Sequence, residues 1–175
     1  MNKANPIIAE TGRLLLRQFS SADAQGFYEM NNDPLVLQYT GDKPFASLAD
    51  AAAFIASYDH YAHYGYGRWA VISRTNNTFI GFCGLKHTPA TGEVDIGFRL
   101  QRQYWGKGYA TEAAKAALKV GFMQYHLPMI IARAIVDNQA SIAVIQKLGM
   151  RFRATFAENQ QQWAIFELTR QDWLT

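Results

Sequence analysis

Hydrophobic and polar positions alternate with two different periods along this chain of 175 residues. Stretches in which every second residue is apolar predict strands, and stretches in which apolar residues recur every three to four positions predict helices. The strand-like stretches are 13–19, 68–73, 78–86, 93–100, 129–136, 150–156 and 163–169. The helix-like stretches are 21–31, 48–64, 110–124 and 138–148. This order predicts an α/β (α+β) fold, with a mixed, mostly antiparallel sheet of about six to seven strands and helices on both faces.

Length and composition are those of one globular domain. The chain is 49% hydrophobic and 18% charged, with no run of like charge and no low-complexity tract, so we expect a single domain over 1–175. No apolar run approaches the ~20 residues of a membrane span, and the N-terminus lacks the apolar core of a signal peptide. The expected location is therefore cytoplasmic, without membrane association. The single cysteine, Cys83, lies in an apolar stretch and is expected to be a buried hydrophobic residue.

Charge and histidine placement argue against two other classes of function. The net charge is +3, but the 17 Lys and Arg residues are scattered along the chain, so we expect no nucleic-acid surface. The four histidines show no ligand spacing with carboxylates or with the cysteine, so we expect no metal site. The mildly basic balance favours a small anionic ligand.

Two glycines, Gly106 and Gly108, lie directly before the helix-like stretch 110–124. The first turn of a helix leaves backbone N–H groups unpaired and carries partial positive charge, so it stabilises anions such as phosphate. Glycine removes the steric shield over these amides, and Lys107 between the two glycines adds a cation. Such a loop is often a plain connection when it stands alone. Here it follows an alternating strand, and the sequence predicts a diphosphate site.

An ordered set of short motifs accompanies this loop. They are Asp95-Ile96-Gly97-Phe98, Gln103-x-x-Gly106-x-Gly108, Thr111-Glu112-Ala113, Asn138-x-x-Ser141 and Lys147-Leu148-Gly149. Together they resemble the GNAT superfamily of acetyl-CoA-dependent N-acetyltransferases, and within it the branch of ribosomal-protein N-terminal (Rim-type) acetyltransferases. The resemblance extends from Arg13 to Trp173. It implies acetyl-CoA as co-substrate. The implied acceptor is the primary amine of a protein N-terminus or of a small molecule. The resemblance is also compatible with a homodimer.

In this family the strand before the glycine loop diverges from the strand after the following helix, and the pantetheine of CoA lies in the wedge between them. The resemblance implies that the diphosphate binds the loop, and that the pantetheine pairs with the strand and contacts the next helix. The cofactor-binding residues expected on this basis are Phe98, Arg99, Leu100, Gln103, Trp105, Gly106, Lys107, Gly108, Ala110, Thr111, Asn138 and Ser141.

Acetyl transfer to an amine requires a group that removes a proton from the ammonium. Glu93 and Asp95 lie on one face of the predicted strand, and Asp95 occupies the position where Rim-type relatives usually have glutamate. Asp95 is therefore the expected general base, although it is one methylene shorter and Phe98 replaces the usual tyrosine; a solvated carboxylate is the alternative. Glu158, near the last predicted hairpin, is a second catalytic candidate by resemblance, and Gln160 competes for the same position.

The resemblance also bears on the proton for the departing thiolate. Many GNAT enzymes use a tyrosine in the helix after Asn138, but this chain has Ile145 there. Rim-type relatives have a serine near the sulfur, which makes Ser141 the expected proton donor. Asn138 and Ser141 also suit the N-cap and the third position of the helix, a purely structural role. The missing tyrosine and the alternative of a solvated carboxylate at Asp95 leave a second hypothesis, a non-catalytic module of the same fold that binds acyl-CoA.

Aromatic residues are concentrated between Tyr58 and Tyr66, where four tyrosines and two histidines occur. This cluster either borders the acceptor pocket or packs the helices together. Arg68 and Trp69, at the start of the next predicted strand, are further candidates to reach the pocket.

Overall fold

One eight-stranded sheet runs through the computed structural model, which describes residues 5–175. Its strands are β1 (Ile7–Glu10), β2 (Leu14–Arg17), β3 (Arg68–Ser73), β4 (Thr78–Thr88), β5 (Glu93–Leu100), β6 (Met129–Ile135), β7 (Arg151–Glu158) and β8 (Gln161–Thr169). Their order across the sheet is β1-β2-β3-β4-β5-β6-β8-β7. Neighbouring strands are antiparallel except for β5 and β6, which are parallel and therefore require a crossover connection.

Helices precede, connect and follow the strands. They are α1 (Ala24–Met30), α2 (Pro34–Leu37), α3 (Leu48–Ala56), α4 (His60–Tyr64), α5 (Tyr109–Met123), α6 (Gln139–Lys147) and α7 (Arg170–Leu174). The crossover between β5 and β6 is made by α5, which has 15 residues and an alanine-rich face that allows close packing on the sheet.

The predicted fold class is confirmed, and the differences concern short elements. The sheet has an additional edge strand, β1, because four residues are too few for a period to be recognised. The stretch predicted as one helix over 48–64 forms two, since α3 ends at the C-cap Ser57 and α4 begins after Asp59. The short helices α2 and α7 were also not predicted, for the same reason as β1.

Apolar cores lie on both faces of the sheet. On one face, α5 and α6 pack against strand residues such as Ile96 and Ile130. On the other face, α1 and α3 pack against Ile72 through Phe27 and Ile55. We call these the α5 face and the α1 face. Because side chains alternate along a strand, Asp95 and Gly97 of β5 lie on the α1 face.

β5 and β6 diverge along their length. β5 stays paired with β4 over the whole of 93–100. In the described sheet, its pairing with β6 is confined to Asp95 opposite Ile131. The backbone of β5 beyond Asp95 therefore faces a gap where the next strand would lie. This is the splayed strand pair expected from the sequence.

Glu112, in the first turn of α5, fastens the turn between β1 and β2 to this helix. Its carboxylate accepts hydrogen bonds from the Thr11 hydroxyl at 2.5 Å, the Arg13 amide at 3.0 Å and Arg13 Nε at 2.7 Å. Burial acts to raise the pKa of Glu112, but the hydrogen bonds from Thr11 and Arg13 outweigh it and hold the pKa below its usual range.

We expect Glu112→Gln to destabilise the protein at neutral pH and to have less effect in acid. A carboxyl whose folded-state pKa is depressed stabilises the fold above its unfolded-state pKa, and this contribution is lost as the pH falls through the folded-state pKa. The difference in melting temperature between wild type and Glu112→Gln should therefore be largest near pH 7 and shrink below about pH 4. Thermal unfolding followed by circular dichroism measures it. An equal difference at every pH would show that the charge of Glu112 contributes nothing.

Candidate active site

The loop between β5 and α5 forms a cradle of unpaired amides. Gly106 and Gly108 have left-handed φ angles of 71° and 79°, which other residues rarely adopt. The amides of Gly106, Lys107 and Gly108 have no hydrogen-bond acceptor among residues 5–175. Ala110 and Thr111 follow in the first turn of α5, where amides also lack intrahelical partners. This arrangement suits an anion such as a diphosphate.

Hydrogen bonds within the loop hold the cradle in shape. The indole Nε1 of Trp105 donates to the Leu100 carbonyl at 2.9 Å, and its backbone amide donates to the Arg102 carbonyl at 3.0 Å. The ammonium of Lys107 donates to the Gln103 carbonyl at 2.9 Å. The Trp105 amide is thus occupied within the loop, and the cofactor-binding role expected of Trp105 stays a prediction. Gln103 supports the loop through its backbone carbonyl, which accepts this hydrogen bond from Lys107.

Arg13 brings a further cation to the cradle from the turn between β1 and β2. Its guanidinium lies 4.2 Å above the ring of Tyr109 and donates to the Lys107 carbonyl at 2.9 Å. Sequence reasoning did not place Arg13 in the site, because it is 94 residues from Lys107 along the chain. Only the packing of the β1–β2 turn beside α5 brings the two together.

A shallow depression continues from the cradle along α5. Its lining residues are Gly108, Thr111, Glu112, Lys115 and Lys147. The two lysines make this surface suited to a second phosphate group. Lys147 comes from the last turn of α6, so the depression joins the two helices that cover the α5 face.

α6 begins with a closed pair of hydrogen bonds. Asn138 is the N-cap: its Oδ1 accepts from the Ser141 amide at 3.2 Å, and its Nδ2 donates to the Ser141 hydroxyl at 3.0 Å. The Ser141 oxygen is therefore an acceptor in this pair, which leaves its own O–H hydrogen to be donated elsewhere. The capping role expected for Asn138 is confirmed. The binding and catalytic roles of the two residues stay predictions.

Asp95 lies on the α1 face where the pairing of β5 with β6 ends. Its Oδ1 accepts from Arg68 Nη2 at 2.5 Å, and the two side chains are only 14% and 18% exposed. Oδ2 has no partner in the described part of the chain. Both oxygens of the neighbouring Glu93 are engaged, by Arg133 at 3.2 Å and Arg153 at 2.9 Å. Of these two carboxylates, Asp95 is the one that offers an unengaged oxygen.

The residues of β5 beyond Asp95 send their side chains to both faces. Leu100 is buried on the α5 face, and Phe98 packs against the same core. Arg99 extends over the α1 face, where it donates to Asn31 at 3.0 Å and to Asp42 at 2.7 Å. Their backbone groups that point away from β4 face the wedge, which permits strand-like pairing with an extended ligand. That binding role also stays a prediction.

Glu158 does not lie with these residues. It is the exposed last residue of β7, at a hairpin tip formed by Asn159 and Gln160. β7 is the third strand beyond β5, about 14 Å across the sheet. The register aligns Arg151 with Asp95, and Glu158 lies about 20 Å further along β7. Glu158 and Asp95 therefore cannot contact the same substrate amine at this separation, and the catalytic role of Glu158 stays a prediction.

The aromatic cluster between residues 58 and 66 supports the start of β3. The Tyr58 hydroxyl accepts from the Arg68 amide at 2.7 Å, and the Tyr61 hydroxyl donates to the Arg68 carbonyl. Burial raises the pKa of both tyrosines, so both hydroxyls stay protonated at neutral pH. Trp69 is fully buried on the α5 face and does not reach a pocket. Of the two strand-start candidates, Arg68 is the one that reaches the site.

Two observations bear on other classes of function. Cys83 is fully buried, as expected, and burial raises the pKa of its thiol to about 12, so it is not a thiolate nucleophile at neutral pH. Among the helices between residues 5 and 175, none has both the length and the apolar character needed to cross a bilayer.

Comparison with known proteins identifies the family. Residues 13–151 match the family model described as "Acetyltransferase (GNAT) domain". The N-acetyltransferase YnaD of Bacillus subtilis (strain 168), itself uncharacterized, is 32% identical over 157 residues, which cover 87% of this chain and 90% of YnaD. The chain therefore belongs to the GNAT acetyltransferase family and is an acetyl-CoA-dependent acetyltransferase. The family predicted from the glycine loop and its companion motifs is confirmed.

Solved structures support the fold. RimL, a ribosomal L7/L12 α-N-protein acetyltransferase solved in complex with CoA, aligns with a TM-score of 0.81 over 94% of this chain and 98% of RimL, at 18% identity. A spermidine N-acetyltransferase from Vibrio cholerae, solved with CoA and spermine, aligns with a TM-score of 0.81 over 94% of this chain and 100% of that protein, at 17% identity. At these identities the likeness establishes the fold alone.

Proposed function

We propose that this protein transfers the acetyl group of acetyl-CoA to a primary amine, that of a protein N-terminus or a small molecule, by direct attack in a ternary complex. The main support for this proposal is the path of β5 through the site. This strand holds Asp95 where its pairing with β6 ends, borders the wedge over 96–100, and leads into the glycine cradle. One strand thereby links a diphosphate site, a path for an extended pantetheine and a carboxylate.

Binding of acetyl-CoA follows from this layout. In the proposal, the amides of residues 106–110 hold the diphosphate, and Arg13 and Lys115 add positive charge. The backbone of 98–100 pairs with the pantetheine like an added strand, and Asn138 contacts it from α6. The CoA present in the RimL and Vibrio cholerae structures supports CoA as a ligand of this fold.

The chemistry then uses two protein groups to transfer protons. Asp95, through Oδ2 or a water, accepts a proton from the ammonium of the acceptor. The neutral amine attacks the thioester carbonyl carbon, so that a C–N bond forms and the C–S bond breaks. The nitrogen, which becomes cationic when the C–N bond forms, loses a second proton to solvent. Ser141 donates its hydroxyl proton toward the departing sulfur and recovers one from solvent, while the proton held by Asp95 returns to solvent. The products are the N-acetyl amine and CoA.

A second candidate function is a module that binds acyl-CoA without turnover. Ile145 occupies the position where many GNAT enzymes carry the tyrosine donor, and it is buried at 2% exposure. Protonation of the sulfur then depends on Ser141, which already takes part in the α6 cap. If neither this hydroxyl nor solvent protonated the sulfur, the chain would bind its ligand and not react.

Transfer of isotopically labelled acetyl groups to an amine panel separates the two candidates. The panel contains peptides with free N-termini, spermidine and aliphatic and aromatic monoamines, with N-formylated peptides as matched controls. Catalysis predicts labelled amide and an equal amount of free CoA. A binding module predicts calorimetric CoA binding without label transfer above the acceptor-free rate.

We expect Asn138→Asp to weaken CoA binding without destabilising α6. Aspartate caps a helix as well as asparagine, but it lacks the Nδ2 donor available to the pantetheine. The CoA Kd should rise at least about tenfold, or about 1.4 kcal/mol, with a melting temperature close to that of wild type. Asn138→Ala should show the same loss of affinity plus a loss of about 1 kcal/mol in stability. Calorimetry and thermal unfolding measure the two effects, and normal CoA affinity in both variants would make Asn138 only a cap.

A further inference from the structure

The side chain of Arg68 crosses the α1 face of the sheet to reach Asp95. In the register, Arg68 of β3 lies opposite Gly84 of β4, and Gly84 lies opposite Gly97 of β5. Neither glycine places a side chain in this row, so a long side chain can lie across it. Nη1 of Arg68 donates to the Gly84 carbonyl at 2.7 Å on the way.

Gly97 is required by the position of the guanidinium. A Cβ added to Gly97 would lie 2.5 Å from Nη2 and 2.6 Å from Cζ of Arg68, closer than such atoms approach. Gly97 is not among the glycines with left-handed φ, so its backbone conformation gives no separate reason for glycine. The space above its Cα is the space that Arg68 occupies.

The guanidinium holds Asp95 at two points. Nη2 donates to the carboxylate Oδ1 at 2.5 Å, and Nη1 donates to the backbone carbonyl of the same residue at 3.0 Å. The guanidinium is planar and binds both the main chain and the side chain of Asp95, so it fixes the orientation of that side chain. A lysine ammonium in the same place would do this less well. Oδ1 is held against Arg68, and Oδ2 is left without a partner among residues 5–175.

Arg68 is itself held from the helices on the α1 face. Tyr58, between α3 and α4, binds its amide, and Tyr61, in α4, binds its carbonyl. A Cβ added to Gly67 would lie 2.9 Å from the Tyr58 hydroxyl and 2.8 Å from Cε1 of Tyr61. The aromatic cluster is thus built closely around the start of β3 and fixes the origin of the Arg68 side chain.

We propose that Arg68 is a positioning residue for the reaction: it holds the Asp95 carboxylate in one orientation, with Oδ2 available to the proton of the acceptor amine. This inference rests on the proposed function, in which Asp95 is the base. The nearby pair of Arg133 and Glu93 provides a contrast on the same face, because Arg153 engages the second oxygen of Glu93. That pair leaves no oxygen for a substrate, whereas the pair of Arg68 and Asp95 leaves one beside the wedge.

The test compares the turnover numbers of Arg68→Ala, Asp95→Asn and the double variant on the panel amine that wild type acetylates fastest. We expect Arg68→Ala to lower kcat about 10- to 100-fold, because misplacement of a catalytic group by about 1 Å has effects of this size. The KM for acetyl-CoA should stay within about twofold. Since Arg68 acts through Asp95, the double variant should be no slower than Asp95→Asn alone. Added guanidinium ion should restore part of the activity of Arg68→Ala and none of that of Asp95→Asn.

Two matched variants complete the comparison. Gly97→Ala keeps both charges but places a methyl group where the guanidinium lies, so it should reproduce the loss in kcat. Arg133→Ala removes the neighbouring guanidinium on the same face and should retain the wild-type kcat. If Arg68→Ala does not fold, Gly97→Ala and Arg68→Lys carry the same comparison, each alone and combined with Asp95→Asn.

The outcomes separate the two levels of the proposal. A wild-type kcat in folded Arg68→Ala, or a double variant in which the two losses multiply, would overturn the positioning role and leave acetyl transfer intact. A wild-type protein that acetylates no amine of the panel would overturn the proposed function, and the positioning role with it.

Discussion

Asp95→Asn should lower the turnover number by about 10²- to 10⁴-fold while leaving the affinity for acetyl-CoA nearly unchanged. Asparagine has the size of aspartate and can still accept the hydrogen bond from Arg68, but its amide cannot take a proton from an ammonium. CoA affinity should change little, because Asp95 lies on the α1 face and the glycine cradle lies beyond the far end of β5. Steady-state kinetics on an acetylated amine of the panel, with calorimetry for CoA, measures both quantities.

Glu93→Gln is the matched control for Asp95→Asn. Glu93 lies two residues away on the same face of β5, and its side chain is 19% exposed, compared with 14% for Asp95. Both of its oxygens are bound by arginines, so it has none to offer a substrate. Its removal should change kcat by less than about twofold. If Asp95→Asn retains wild-type turnover, the base lies elsewhere. Glu158 is then tested next, and deprotonation of the acceptor by solvent after it.

Ser141→Ala tests the second proton transfer in the same assay. Alanine keeps the backbone amide that donates to Asn138, so α6 keeps that part of its cap. It loses the O–H hydrogen proposed for the CoA sulfur. The turnover number should fall, again with nearly normal acetyl-CoA affinity, and an unchanged turnover number would limit Ser141 to the cap.

Gly108→Val should weaken CoA binding at least about tenfold, or about 1.4 kcal/mol. Gly108 has a φ of 79°, a conformation that β-branched residues avoid, and a Cβ there would lie 3.4 Å from Arg13 Nη2. The larger side chain would disturb both the amides of the cradle and the cation beside them. Calorimetric titration of the folded variant with CoA measures the loss.

Gly92→Val separates loss of the cradle from backbone strain. Gly92 has a similar φ of 72°, and a Cβ there meets nothing within 4 Å. It lies in the turn before β5, at the opposite end of that strand from the cradle. This variant should lose stability through strain but bind CoA normally. Equal CoA affinities in Gly108→Val, Gly92→Val and wild type would show that the diphosphate does not bind at the glycine loop.

The parts of the fold that could be predicted depend on local patterns. Alternation over eight residues identified β5, and two glycines before an apolar helix identified the cradle, because both signals lie within one short stretch. Strand β1 has only four residues, and its pairing with β2 is a tertiary contact. The break between α3 and α4 was missed because the helix-like composition continues through it.

The arrangement of the site was harder to predict because it depends on contacts between distant parts of the chain. Arg68 and Asp95 are 27 residues apart, and their contact depends on the glycine row that connects β3 to β5. Arg13 contacts Lys107 in the cradle although the two residues are 94 positions apart in the sequence. The same holds for Glu158: its chemistry suits a base, but only the strand order shows how far it lies from Asp95. A motif can identify a residue type, and only the sheet register identifies its neighbours.

A crystal structure with bound acetyl-CoA, or with an unreactive thioether analogue, tests the central claim most directly. We predict that the diphosphate accepts hydrogen bonds from amides within 106–110, and that the pantetheine pairs with the backbone of 98–100. The carbonyl carbon that accepts the amine should be open to the α1 face on the side of Asp95 Oδ2. A CoA bound outside the wedge, or a thioester carbon closed off from Asp95 by protein, would contradict the account.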